Sequence, residues 1–259
     1  DAFIHVVRCF ESDVVPHPAG SVNPARDLDA MLGELLLNDL IAVERKLERL
    51  NDERRKGGTD KALNERQLAL FTRLHEALSA NKPLRFLDFN AEEQRELASY
   101  GLLTRKPILT VFNIGEGQTA PALSTDHPTV ALPARLEMEL SQLPPDDAAM
   151  FMEEYGITEL ALNKMITLSY DLLAVQTFFT VGEDEVRAWT TRIGATAPEA
   201  AGEIHTDLQR GFVRAEVVHY TDLVELGGMN EAKAKGKLRL EGKEYVVKDG
   251  DIVHIRSSI

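Results

Sequence analysis

Leu36, Leu40, Val43, Leu47 and Leu50 follow one another at intervals of four, three, four and three residues, the spacing that places all of them on one seam of a helix. A segment with that repeat must be a long helix whose seam is covered by another helix. Its limits are also legible. Asn23-Pro24 supplies an N-cap and a proline at the first helical position, Asp27 and Asp29 suit the positive end of the dipole, and Gly57-Gly58 stops the run. A second stripe of Leu63, Leu70, Leu74 and Ala77 predicts that residues 26–85 fold back as an antiparallel helical hairpin. Between the seam positions Arg45, Lys46, Arg49, Arg54, Arg55 and Lys56 crowd toward the hairpin tip. The hairpin holds 12 basic and 11 acidic residues, whereas the whole chain stands at −13.

The remainder reads as two further parts, as its length of 259 residues allows. Ala2 to Phe10 is a nearly continuous apolar, β-branched run, expected as a strand covered on both faces. A chain that opens at Asp1, without an initiator Met, on such a strand is expected to lack an N-terminal portion. After Pro107, Ile108 to Phe112 is a second buried strand, which ends in Asn113-Ile114-Gly115-Glu116, and Thr129 to Leu132 is a third. Helical patterns at Ala91–Ser99, Ala134–Leu140, Asp146–Tyr155 and Leu160–Leu173 alternate with these strands, which is the parallel-sheet α/β pattern. Near residue 175 the pattern changes to short strands at Thr177–Val181, Val186–Thr190, Phe212–Val218, Leu238–Leu240, Tyr245–Val247 and Ile252–Ile255. Turn signals at Glu241-Gly242 and Asp249-Gly250 separate the last of them, so a β-rich module is expected.

Composition removes several function classes. A net charge of −13 argues against binding nucleic acid with the whole surface. Cys9 is the single cysteine, which excludes an intramolecular disulfide and any Cys-based metal site within one chain and fits a cytosolic protein. No apolar run reaches the ~20 residues of a bilayer span, so no membrane association is expected. The chain contains no G-x-x-x-x-G-K-[ST], HExxH or GxSxG string. No catalytic residue and no metal ligand is therefore assigned. Gly115-Glu116-Gly117 carries no Lys and reads as a turn.

Asn113 to Glu116 sits where ligands of open α/β sheets collect, at the carboxyl end of a strand. An Asn amide can donate to and accept from a purine edge, and a carboxylate three residues on can accept from an N–H group; a polar strand-to-loop turn would use the same residues. His205-Thr206-Asp207 pairs an imidazole with a carboxylate but lacks a nucleophile, and bonding to loop amides suffices for both. Lys233, Lys235, Lys237, Arg239, Lys243 and Lys248 alternate with acidic residues as a solvated face does. His5 and Cys9 are expected in the core.

Taken together, AFIHVVRCFE (2–11), NPARDLDAMLGELLLNDLIAVERKL (23–47), KPILTVFNIGE (106–116), and the long strings over 178–218 and 232–255 resemble the YchF or Obg-like ATPases of the translation-factor GTPase class. The resemblance implies an α/β fold: a partial P-loop NTPase-type G domain (1–25 and 86–174), with an inserted coiled-coil hairpin (26–85) and a C-terminal β-grasp, or TGS, domain (175–259). It implies an ATPase associated with ribosomal RNA or protein, cytoplasmic and monomeric, with no DNA partner, and with ATP and Mg2+ as cofactors of the full-length protein. In this family N-x-x-E replaces the N-K-x-D of GTPases and favours adenine. Carried onto this chain, Asn113 contacts the base, Ile114 packs along it, Glu116 holds the fourth motif position, and the Ala134 region closes over the base. The family's P-loop half is missing here, and only 11 residues separate Gly117 from Thr129, where relatives carry a helix. The alternative is a non-enzymatic ribosome-binding or RNA-binding module acting through the hairpin and the TGS domain.

Overall fold

A computed structural model describes residues 1–57, 60–182 and 184–258. The chain forms two compact units, residues 1–168 and 169–259. The first is built on a three-stranded parallel sheet of β1 (Phe3–Arg8), β2 (Ile108–Asn113) and β3 (Thr129–Leu132) in the order β1-β2-β3. Phe3 pairs with Ile108 and Arg8 with Asn113; Thr110 pairs with Thr129 and Asn113 with Leu132. Ile108 to Phe112 are all buried, as a central parallel strand requires.

β1 departs from the expectation of a strand covered on both faces. Ile4 and Val6 are 50% and 60% exposed, while Val7, on the opposite face, is buried with Leu28 and Phe112. In the described sheet β1 is an edge strand, paired with β2, and its Ile4–Val6 face is the exposed one. Apolar character alone could not reveal that half of this strand is open. His5 and Cys9, expected in the core, lie on the Val7 side of the chain but are only half-buried.

The hairpin forms as the seam requires, from α1 (Pro24–Lys56) and α2 (Lys61–Ser79). Asn23 Oδ1 accepts from Arg26 N at 3.1 Å, and Gly57 takes the left-handed conformation that ends α1. Gly58 lies outside the described residues. Val43 and Leu50 of the seam are fully buried against Leu70, Phe71 and Leu74; Leu36, Leu40 and Leu47 flank them. This core does not stop at the two helices. Leu84 from a 3₁₀ turn, Leu97 of α3 (Ala91–Leu97) and Leu102 join it. Asp39, in mid-α1 and with no exposure, accepts from Leu103 N (2.8 Å), Thr104 N (2.7 Å) and Thr104 Oγ1 (2.7 Å).

From the buried Thr110 a polar chain runs outward to the exposed Asp126. His127 Nε2 is 2.8 Å from Thr110 Oγ1, and its Nδ1 is 2.6 Å from Asp126 Oδ1, which Arg85 reaches at 3.1 Å. His5, the β1 partner of Thr110, has a buried Nδ1 with no hydrogen-bond partner. Burial, and then repulsion from His127, pushes its pKa below the ordinary 6.5. The folded state thus binds fewer protons than the unfolded one in the window below 6.5, and stability falls as pH drops through it. Burial would raise the Asp126 carboxyl, but the hydrogen bond from His127 and the Arg85 charge outweigh it and hold the pKa below 3.8, so a second loss follows below that value. In thermal melts His5→Phe is expected to flatten the decline between pH 7 and pH 5. An unchanged pH slope in that variant would assign the decline to other groups.

The chain continues through α4 (Ala134–Leu140), α5 (Pro145–Glu154) and α6 (Ala161–Leu173), within two residues of the expected bounds. No side chain of α5 or α6 is fully buried. No described helix is long and apolar enough to cross a membrane.

The second unit is a five-stranded mixed sheet in the order β5-β4-β8-β6-β7, formed by β4 (Val175–Val181), β5 (Val186–Arg192), β6 (Phe212–His219), β7 (Arg239–Glu241) and β8 (Asp251–Ser257). β4 and β8 are parallel and the other pairs antiparallel. One face buries Phe178, Ala215 and Val217 against Ala197, Ala200 and Ala201 of α7 (Ala197–Ile204), which is followed by α8 (Thr206–Arg210). The other packs on α9 (Tyr220–Leu226) and α10 (Met229–Ala234). Tyr245–Val247 is not the expected strand: it contributes one isolated bridge, Thr196 to Val246. Tyr245 instead turns its hydroxyl to the buried Asp251 (2.7 Å), and burial followed by that carboxylate pushes its pKa up to about 12. His205 Nδ1 accepts from Asp207 N at 3.2 Å, a helix cap and not a catalytic pair.

Candidate functional site

All three parallel strands end at one edge, β1 at Arg8, β2 at Asn113 and β3 at Leu132. The segments that leave them enclose a cleft of about 400 Å³. Phe10, Glu11 and Ser12 come from the β1 side, Asn113 to Glu116 from β2, and Pro133, Arg135, Leu136 and Glu139 from β3 and α4. Parallel strands leave such a crevice beyond their carboxyl ends because each chain must turn away to its crossover.

Asn113 holds the centre. Its backbone carbonyl accepts from Cys9 N at 2.8 Å, and its Oδ1 accepts from Ala134 N at 3.2 Å. The residue preceding α4 is Pro133, which has no side chain to cap the helix. The Asn113 carboxamide, 21 residues away, takes that part. With Oδ1 so engaged, Nδ2 is the group available to donate to a ligand. Ile114 is fixed by its N–H to Leu132 O at 3.1 Å and packs beside Val7 and Phe112. The turn that follows is tight: Gly115 N donates to Gln118 Oε1 at 2.6 Å, and Gly117 has φ +70°. A Cβ on Gly115 would meet that Oε1 at 3.0 Å and Phe10 Cβ at 3.4 Å. Glu116 stands exposed at the rim, and Arg135 pairs across one helical turn with Glu139 at 2.9 Å.

The structure therefore brings Asn113, Ile114 and Glu116 to one cleft and ties the Ala134 amide to it. Sequence reading missed Phe10, Glu11, Ser12, Pro133, Arg135, Leu136 and Glu139. Their signal was positional, since they lie in the segments that leave β1 and β3 at the carboxyl edge of the parallel sheet. Nothing about their residue types marks them.

The six cations crowded toward the hairpin tip are not equivalent. Arg49 pairs with Glu53 at 3.0 Å, a contact that raises its pKa, and Arg55 pairs with Asp52. Arg45, Arg54 and Lys56 are exposed. Lys46 points inward instead. Its Nζ donates to Gln67 Oε1 at 3.3 Å and lies 5.7 Å from the ring centres of both Phe71 and Tyr100, because position 46 borders the seam residues Val43 and Leu47. Among the described residues no group of three or more His, Cys, Asp or Glu is placed to hold a metal ion, and no Mg2+ ligand is assigned to them.

Comparison with known proteins bears on both units. A family model, YchF-GTPase_C, described as "Protein of unknown function (DUF933)", matches residues 175–258. The Bacillus subtilis (strain 168) protein named "Ribosome-binding ATPase YchF" is 40% identical over 272 residues, spanning 100% of this chain and 74% of that protein. The Caenorhabditis elegans "Obg-like ATPase 1" is 35% identical, spanning 99% of this chain and 68% of its own length. The solved Schizosaccharomyces pombe YchF GTPase superposes with a TM-score of 0.84 at 33% identity, over 99% of this chain and 72% of that one. A Pyrococcus horikoshii GTP binding protein, at 16% identity and a TM-score of 0.57, shares the fold. An α/β chain similar from end to end to these proteins, with the Asn113 cleft at the edge of its parallel sheet, belongs to the YchF/Obg-like ATPase family.

Proposed function

We propose that this chain carries the base-recognising cleft and the ribosome-contacting hairpin of a P-loop ATPase that uses ATP with Mg2+. One observation carries the reading: Asn113 lines the strand-end cleft with its Oδ1 already bonded and its Nδ2 making no hydrogen bond among the described residues. Purine N7 is an acceptor in adenine and guanine alike, so Asn113 selects a purine, and the choice between the two falls to the fourth motif position. An Asp there accepts from the two N–H groups of the guanine edge. Adenine presents an N1 acceptor instead and leaves such an Asp unpaired. Glu116, longer and at the rim, does not impose that demand.

The triphosphate cradle and hydrolysis belong, in this reading, to a P-loop half that packs on β1, whose exposed Ile4 and Val6 face and unpaired edge suit it. Residues 26–85 act as the inserted coiled coil, and residues 175–259 as a TGS domain. A ribosome-bound ATPase of this kind is cytoplasmic.

Titration with nucleoside monophosphates tests the cleft directly. AMP is expected to shift the amide resonances of Gly115 and Ala134 at lower concentration than GMP. Both bind weakly, since base contacts act without phosphate contacts. Glu116→Asp is expected to reduce the AMP preference by about tenfold or reverse it. Equal responses to AMP and GMP in the parent chain would overturn the assignment of base choice to this motif.

A further inference from the structure

α4 forms one wall of the cleft, and its position cannot come from the helix itself. It has seven residues, too few for an isolated helix to hold in water, and Pro133 leaves its first turn without a side-chain cap of its own. The helix buries Leu136 and Leu140, and two side-chain hydrogen bonds add directional ties. Ala134 N donates to Asn113 Oδ1 at 3.2 Å, and one turn further on Glu137 Oε2 accepts from Ala161 N at 2.9 Å. Ala161 is the first residue of α6, where backbone N–H groups lack helical partners and favour a carboxylate. The second bond closes a 24-residue excursion through α5. Neither α5 nor α6 has a fully buried side chain, so partial apolar contact leaves room for a directional tie. The Glu137 bond holds the first turn of α6 to α4.

From this we infer that Glu137 is a positioning residue for base recognition: it anchors α4 to the start of α6, so that the Asn113 carboxamide meets the base at a fixed place. The inference rests on the reading of the cleft as a base site. Glu137 lies outside the cleft lining and acts through Ala134 and Asn113. When a base takes the Asn113 amide, the adjustment at Ala134 N passes along one turn of α4 to the Ala161 amide. The Glu137 carboxylate supplies geometry and a hydrogen-bond acceptor, and Gln can supply the same acceptor.

The experiment is an AMP titration of the chain followed by backbone amide resonances in the parent, Glu137→Ala and Glu137→Gln. In the parent the Gly115, Ala134 and Ala161 resonances are expected to move with one midpoint. In Glu137→Ala the Ala161 response is expected to disappear and AMP affinity to fall roughly threefold to tenfold. Glu137→Gln is expected to restore both. A residue that merely stabilises α6 would give a different result: Glu137→Ala would lower the melting temperature and leave AMP affinity and the Gly115 midpoint unchanged, and that result overturns the inference. So does an Ala161 resonance that stays still in the parent while Gly115 and Ala134 respond, an outcome that leaves the base-site reading intact. A parent chain in which AMP moves none of the three removes the base-site reading and the inference with it.

Discussion

Asp39→Ala is expected to destabilise the 1–168 unit by about 4 kcal/mol, a large part of the ~5–15 kcal/mol that holds a typical domain together. The carboxylate has no exposure; Leu103 N, Thr104 N and Thr104 Oγ1 donate to it at 2.7 to 2.8 Å, and Asn38 Nδ2 more weakly at 3.4 Å. With the acceptor gone the Leu103 and Thr104 donors stay enclosed, as Leu103 belongs to a 3₁₀ turn packed under α1 and Thr104 is buried. The damage extends one step further: Thr104 Oγ1 also accepts from Leu84 N at 3.3 Å, and Leu84 is part of the hairpin core. Urea unfolding gives the size of the loss. Native-state hydrogen exchange gives its place, with protection falling first at Leu84, Leu103 and Thr104 and persisting in β4 to β8. Asp39→Asn keeps one acceptor oxygen but turns an NH2 group toward an N–H donor, so an intermediate loss is expected. A change under about 0.5 kcal/mol in Asp39→Ala, the size of an ordinary surface substitution, would mean that water replaces the carboxylate.

That clasp also marks how far the sequence could be read. The hairpin was legible because Leu36 to Leu50 and Leu70 to Ala77 carry a local period, and the buried β2 because Ile108 to Phe112 is an unbroken apolar run. Asn113 to Glu116 was legible as a strand-end turn and, through the resemblance, as a base motif. What stayed hidden depends on long-range contact. Asp39 reads as one more polar residue of α1, since its short hydrogen bonds come from partners 64 and 65 residues away. Lys46 reads as a tip charge until Phe71 and Tyr100 come to lie beneath it. The open face of β1 and the closed faces of β2 have the same apolar composition, and only the strand order distinguishes them. Tyr245–Val247 has a strand's residue types but is held by Asp251 and one bridge.

Replacing Arg54, Arg55 and Lys56 together with Glu is expected to weaken ribosome co-sedimentation by about a hundredfold at low salt and to reduce the slope of log affinity against log salt by roughly 2 to 3. A chain of net charge −13 approaches a phosphate-rich surface only where its own positive charge is concentrated and kept away from its acidic body. The last turn of α1 concentrates such charge: three consecutive exposed cations stand at the end of a 33-residue helix, with the capping Gly57 directly after them. Arg55 is held by Asp52, one turn back, yet such a surface pair contributes little stability and is readily exchanged for a phosphate. Arg54 and Lys56 have no ion-pair partner among the described residues, whereas Lys46, turned onto Phe71 and Tyr100, is excluded from this contact surface. Reversal also places three carboxylates at the negative end of the helix dipole, so loss of binding could reflect fraying of α1. The Gln triple variant separates the two effects, because it removes the cations without adding repulsion. It is expected to keep the far-ultraviolet circular dichroism of the parent and still lose most of the salt slope. Binding of the Gln variant that follows the parent across the whole salt series would remove the hairpin tip as the contact and leave the Lys233 to Lys243 stretch of the second unit as the surface to test.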